Sequence, residues 1–287
     1  MTEIAIEGLG KNYGDCVVLE NVNATLPDHE FAVILGPSGA GKTTLLRLLL
    51  SQEIPTRGQI LIDGVPIDPE PQPDRGVVFQ RYSVFPHRTV LDNVMMGPQL
   101  AAAPFTGRLW GARRRALADK AKTLLAEVGL IDHVKKYPTQ LSGGMQQRLA
   151  IAQALIMEPK VLLLDEPFGA LDQSTKKAMH RLILDLWQRN EMPIVMVTHD
   201  IGEAFTLGTR ILMVDKARRD PQAPQAYGST ITQDIRLDPS KKPQLRVVEE
   251  GEDEASTMQA IFNQYRERAS DCLVDRASDK PEERASA

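Results

Sequence analysis

A mostly parallel α/β sheet is predicted by three features: short continuous apolar runs, helical patterns between them, and a glycine-rich turn closing the first run. The first run is Phe31-Ala-Val-Ile-Leu35, which ends at Gly36 and is followed by a leucine-rich helical pattern over 42–50. Ahead of it, 4–9 and 17–26 read as edge strands of a small antiparallel β layer. Residues 59–62, closed by Asp63-Gly64, and 76–79 supply two further short strands.

From about 91 to 158 the texture changes to helical spacing, clearest over 116–128 and 145–157, which predicts a helical subdomain inserted between strands. The sheet resumes at 160–164, 194–198 and 211–214, with a helix over 174–187. Residues 216–227 are polar and proline-containing and read as a loop. Residues 1–240 are therefore expected to form one domain, and 241–287 a tail. From 247 to 287 the tail holds 11 acidic and 5 basic residues, a net of -6. Within it, Ser256 and Gln259 have capping-box spacing, and Met258, Ile261, Phe262, Tyr265 and Ala269 share one helix face. That stripe is expected to be buried, on its own domain, at a dimer contact or against a membrane complex, while the core does without it.

The bulk properties narrow the function. The chain has 287 residues with a formal charge of -4, which gives no reason to expect nucleic acid as a partner. Cys16 and Cys272 match no metal or redox spacing. The N-terminus lacks the basic-then-apolar pattern of a signal peptide, and the apolar runs are strand-sized, so a transport role would need another chain to supply the channel.

Gly36-Pro37-Ser38-Gly39-Ala40-Gly41-Lys42-Thr43 fills the phosphate-loop pattern in the required strand–loop–helix setting, with Thr44 following. The glycines let backbone N–H groups turn inward around phosphate, and the next helix presents its positive end. Lys42 is placed for the β- and γ-phosphates, and the Thr43 hydroxyl for Mg²⁺. A second apolar strand runs into Asp165-Glu166-Pro167, setting two carboxylates at a strand exit, where such sheets bind ligands. Asp165 there suits Mg²⁺, and Glu166 suits activation of water. A third motif, Leu141-Ser142-Gly143-Gly144-Met145-Gln146-Gln147-Arg148, opens a helix with a serine and two glycines. It forms either a simple cap at Ser142 or a second anion-binding terminus, of use if it covers the nucleotide of a partner chain.

This octet resembles the signature motif of ABC ATPases, and residues 3 to 215 match that family in order. Gln80 is similar to its Q-loop glutamine, Asp165-Glu166 to its acidic strand end, Ala170-Leu171-Asp172 to its D-loop and His199 to its switch histidine. Tyr13 falls where the family stacks an aromatic ring on adenine; as a residue, it is otherwise an ordinary packed aromatic. The resemblance implies a phosphate-loop ATPase using ATP and Mg²⁺, with the metal held by Thr43, Gln80 and Asp165. It implies two subunits, identical or paired, in head-to-tail register, with Ser142, Gly143 and Gly144 facing the partner's Lys42 loop. Glu166 would activate water, His199 contact the γ-phosphate, Gln80 link nucleotide to channel, and Asp172 line the dimer interface.

Residues 73–80, 84–86 and 89–94 resemble the nitrate/sulfonate/taurine importers. That implies an integral membrane permease, an extracytoplasmic solute-binding protein and a peripheral position on the cytoplasmic face of the inner membrane. Export, or a soluble non-transport ABC activity, is the alternative. Phe85 and Pro86 are expected on the channel-facing surface, unless Phe85 is core. Residues 101–115 are longer than the group pattern, and Arg113-Arg114-Arg115 beside Trp110 either meets lipid headgroups or is a solvated helix start.

Overall fold

The computed structural model describes residues 2–237, other than 81–82, 104–106, 108, 191, 219–221 and 223–225. The tail and its expected amphipathic helix lie outside the described residues.

The first strands are β1 (Ile4–Tyr13), β2 (Cys16–Leu26) and β3 (Phe31–Leu35), followed by α1 (Lys42–Leu49). Next come β4 (Arg57–Ile62), β5 (Val65–Pro66) and β6 (Arg75–Val78). Helices α2 (Val90–Ala102), α3 (Gly111–Glu127) and α4 (Gly143–Leu155) form the inserted helical part. The chain then alternates through β7 (Val161–Asp165), α5 (Gln173–Asn190), β8 (Ile194–Thr198), α6 (Ile201–Leu207), β9 (Arg210–Lys216) and β10 (Ser229–Arg236).

Among the described residues these strands form one sheet in the order β5-β4-β1-β2-β10-β9-β3-β8-β7-β6. The pairs β6–β7, β7–β8, β8–β3 and β3–β9 are all parallel. The β5-β4-β1-β2 end is antiparallel, as the sequence predicts, but it is not a detached layer. Strand β10 joins it to the parallel part, pairing antiparallel with β9 and touching β2 at Ser229.

Strand periodicity explains why the parallel strands read as unbroken apolar runs. Phe31, Val33 and Leu35 face one core with Leu162, Leu164, Met196 and helices α2–α6, whereas Ala32 and Ile34 face another with Leu163, Val197 and α1. Successive side chains leave opposite faces of a strand, so a sheet covered on both sides needs an apolar residue at every position.

Sequence reading missed β10 and α6. Strand β10 alternates Thr, Gln, Asp and Arg with only Ile231 and Ile235, and it is held by charge as well as by its ladder. Arg210 on β9 donates to both carboxylate oxygens of Asp234 at 2.8 Å, and to the Thr25 carbonyl at 2.6 Å and Glu30 at 3.0 Å. Helix α6 is only seven residues long, too short to show a period.

Candidate functional site

Parallel strands pointing the same way put their C-terminal ends on one edge. The neighbours β3, β8, β7 and β6 therefore deliver four segments side by side: the loop from Gly36, His199, Asp165-Glu166, and Gln80. Adjacent strands lie roughly 5 Å apart, so residues far apart in sequence meet along this rim.

The glycine-rich loop is shaped by backbone conformation. Gly39 and Gly41 have φ of 80° and 83°, in the left-handed region where a Cβ is strained. A Cβ on Gly36 would run into the Val214 carbonyl on β9, so the loop leaves the sheet by close packing. Helix α1 begins at Gly41 with no side-chain cap and no acid in its first turn, which leaves its positive end available to an anion. The Lys42 side chain is buried and donates to the carbonyls of Gly36 at 2.6 Å and Pro37 at 2.9 Å. Pro37 is half-buried, Ser38 and Thr43 are exposed, Ala40 is buried, and Thr44 is half-buried beside Tyr13.

At the end of β7, burial and the neighbouring Glu166 carboxylate push the Asp165 carboxyl up, against the pull of Arg47 and Lys42. Glu166 has φ of 44°, and its N–H donates to the Val197 carbonyl at 2.9 Å. The turned backbone brings its carboxylate 3.3 Å from His199 Nδ1. A cleft of about 60 Å³ opens here, lined by Glu166, Gly169, Lys176, Thr198, His199, Asp200 and Glu203. Gln80 extends its amide toward Gly169 on the rim of the same turn.

Tyr13 ends β1 with its ring half exposed, the Lys11 ammonium 5.0 Å from the ring centroid, and its hydroxyl on Glu53. It is therefore a ring on open surface beside α1 rather than a packed core aromatic.

The signature segment is built differently. Ser142 caps α4, its Oγ accepting the Met145 N–H at 3.4 Å, and Ser142 and Gly143 are exposed. Gly144 packs against the Thr175 methyl, where a Cβ would not fit. The Thr175 hydroxyl donates to Asp172, which also accepts from the N–H and hydroxyl of Ser174 and the N–H of Thr175. Four donors hold the Asp172 carboxyl far below the usual carboxylate range. Ser142, Gly143 and Asp172 are exposed on either side of the contact between buried Gly144 and Thr175, and Asp172 gains a role that its family place did not announce, capping α5.

The residues implied for the metal are a hydroxyl, an amide and a carboxylate, the hard oxygen donors that Mg²⁺ takes. The raised Asp165 carboxyl beside a second carboxylate is an arrangement that a cation relieves, so the donor set fits. Among the described residues, no group of three or more His, Cys, Asp or Glu gathers to hold a metal by itself.

Phe85 is exposed, not core. Buried Asn93 accepts from its N–H at 2.8 Å and donates to its carbonyl at 3.1 Å, presenting the ring outward. Helix α3 starts at Gly111, so Arg113, Arg114 and Arg115 lie in its first two turns, exposed, with Arg114 3.7 Å from Asp92. Trp110 is 66% exposed beside them.

Sequence reasoning missed Lys176, Thr198 and Glu203 in the cleft. Asp200 and Glu203 have the spacing of a helix cap and its third residue, and the Asp200 carboxylate does accept the Glu203 N–H at 3.2 Å. That was the available signal.

Fold and rim together define a phosphate-loop nucleoside triphosphatase. The comparisons carry this further: residues 19–169 match the family model described as ABC transporter, and the chain belongs to that family. It is 45% identical over 201 residues to the nitrate import ATP-binding protein NrtD of Synechocystis, covering 70% of this chain and 72% of that protein. It is 39% identical over 222 residues to the glutamine transport ATP-binding protein GlnQ of Escherichia coli, covering 75% and 88%. The dimeric structure of MJ0796, a bacterial ABC transporter cassette, superposes with a TM-score of 0.64 at 31% identity, covering 81% of this chain and 98% of that one. The chain is an ABC-type ATPase, the ATP-binding subunit of a transport system. Among the described residues, no helix is long and apolar enough to cross a membrane.

Proposed function

We propose that this chain hydrolyses Mg-ATP as a head-to-tail pair of subunits and thereby drives solute import through a separate membrane permease. The observation carrying the hydrolytic part is the convergence of Lys42, Asp165, Glu166 and His199 on one rim. The α1 terminus and Lys42 bind and orient the phosphates. Glu166 accepts the proton of the attacking water, and His199, 3.3 Å away, holds that carboxylate and reaches for the γ-phosphate. Thr43, Gln80 and Asp165 would hold Mg²⁺, which when bound polarises phosphate oxygens and offsets their charge. Tyr13 offers its open ring to adenine. Gly36, Pro37, Ser38, Gly39, Ala40, Gly41 and Thr44 complete the cradle.

The exposed start of α4 supports the paired arrangement. Ser142 and Gly143 present an anion-receptive terminus at the surface, and buried Gly144 seats it on Thr175, with Asp172 alongside. Import is supported by the names of the relatives, among them nitrate import and taurine import proteins. Residues 73–80, 84–86 and 89–94 favour the nitrate/sulfonate/taurine group. The outward Phe85 supplies an apolar contact for a permease, and a solute-binding protein would complete the system.

Glu166→Gln tests the chemistry. Turnover should fall by at least about 100-fold with ATP affinity retained, since the amide keeps the shape and loses the base. Turnover near the parent rate would contradict the assignment. Affinity purification from solubilised membranes should recover a permease with this chain, and its absence would remove the transport reading.

A further inference from the structure

Behind the Glu166–His199 contact lies an ion pair between half-buried Lys176 and buried Glu203 that the chemistry above does not use. Glu203, in the first turn of α6, is only 3% exposed. One of its carboxylate oxygens accepts from the Thr198 hydroxyl at 2.8 Å, and the other lies 3.1 Å from the Lys176 ammonium. Lys176 also reaches Asp200 at 3.4 Å. The Thr198 oxygen in turn accepts the Asp200 N–H at 3.0 Å.

His199 stands between those two residues, so its backbone is fixed on both sides by groups bonded to this pair. At the other end, the Lys176 N–H donates to the Asp172 carbonyl at 2.8 Å, in the first turn of α5. A polar chain thus runs from Asp172, beside the Gly144–Thr175 contact, through Lys176 and Glu203 to Thr198 and Asp200, the residues flanking His199, whose ring meets Glu166.

We infer that Lys176 and Glu203 are positioning residues for hydrolysis: their ion pair sets the orientation of His199 against Glu166 and ties it to the Asp172 turn. The inference rests on the ATPase reading above. A plain structural strut would need no such placement, and an ion pair with one partner desolvated is in general a poor source of net stability. Burial pushes the Glu203 carboxyl up, while Thr198 and Lys176 pull it toward the ionised form. The burial of this carboxyl is thus offset by the Thr198 hydroxyl and the Lys176 ammonium, beside the reacting groups. A misplacement of about 1 Å at such a contact costs up to roughly 100-fold in rate.

The test compares steady-state ATPase kinetics, ATP affinity and thermal melting of Lys176→Met, Lys176→Arg, Glu203→Gln and Thr198→Val in the full chain. Lys176→Met and Glu203→Gln should each lower kcat by about 10-fold or more, with ATP affinity within about twofold of the parent. Lys176→Arg should retain most of kcat. The double variant Lys176→Met/Glu203→Gln should be no worse than either single one, because both remove the same link. If Glu203→Gln does not fold, the more open Lys176→Met and the near-isosteric Thr198→Val carry the test.

Melting that drops while kcat holds, or kcat and affinity falling in parallel, would overturn the proposal and leave a structural ion pair. The parent and Glu166→Gln are run alongside. If the parent hydrolyses ATP and Glu166→Gln does not, the functional reading stands and the Lys176 variants judge this inference alone. A parent that hydrolyses no ATP removes both.

Discussion

Two glycine-rich helix starts, at α1 and at α4, are built to opposite specifications. Helix α1 begins at a glycine with no side-chain cap, and a buried lysine is bonded to its own loop. The rim formed by β8, β7 and β6 brings Glu166, His199 and Gln80 beside that loop. Helix α4 begins exposed, capped weakly by Ser142, with Thr175 and Asp172 for neighbours. An anion held at α1 has Glu166 and His199 of its own chain on the same rim. An anion held at α4 would find neither, only the polar chain that leads back to His199. On the proposed reading, one terminus is a site and the other is half of one.

The largest effect on nucleotide binding should come from Lys42→Ala, which strips the charge from the α1 half. ATP affinity should fall by about 10- to 100-fold in equilibrium binding, since charge-assisted bonds to phosphate are the strong ones. Affinity unchanged would mean that the loop is not the phosphate site. Gly144→Val breaks the other half. Its side chain has no room against Thr175, so it should displace the α4 terminus. ATPase activity should fall by about 10-fold or more while the affinity of a single chain for ATP stays within about twofold. Equal loss of both would erase the distinction between the two starts.

A smaller effect is expected from His180, whose ring meets Phe168 edge-on behind the Asp172 turn. Burial lowers its pKa to about 4. The unfolded chain binds a proton there below about pH 6.5, and the folded chain only below about 4, so stability should decline as pH falls through that window. His180→Phe keeps a ring against Phe168 and should flatten melting temperature against pH between those values. An unchanged slope would assign the acid sensitivity to other groups.

The contrast between the two helix starts also marks how far the sequence could be read. Gly36 to Thr43 was legible because its chemistry is contiguous, as was Asp165-Glu166 at the end of an apolar strand. The sheet was legible where both faces are buried, as at Phe31–Leu35. Strand β10 was hidden because it is anchored through Arg210, Asp234 and Glu30, residues that no period connects. The Lys176–Glu203 pair was hidden for the same reason: 27 positions separate its members, and only the packing of α5 against α6 brings them to 3.1 Å. Asp172 was placed by family likeness, yet its bonds to Ser174 and Thr175 could be read locally, as an acid two and three residues before hydroxyls.

The most direct test of the half-site account is the oligomeric state of Glu166→Gln with and without ATP, measured by size-exclusion chromatography with light scattering. With hydrolysis suppressed, saturating ATP should convert a monomer to a dimer, and adding Gly144→Val should abolish the conversion while nucleotide stays bound. A stoichiometrically ATP-loaded Glu166→Gln protein that remains monomeric at high concentration would contradict the claim that α4 completes the site of a second chain.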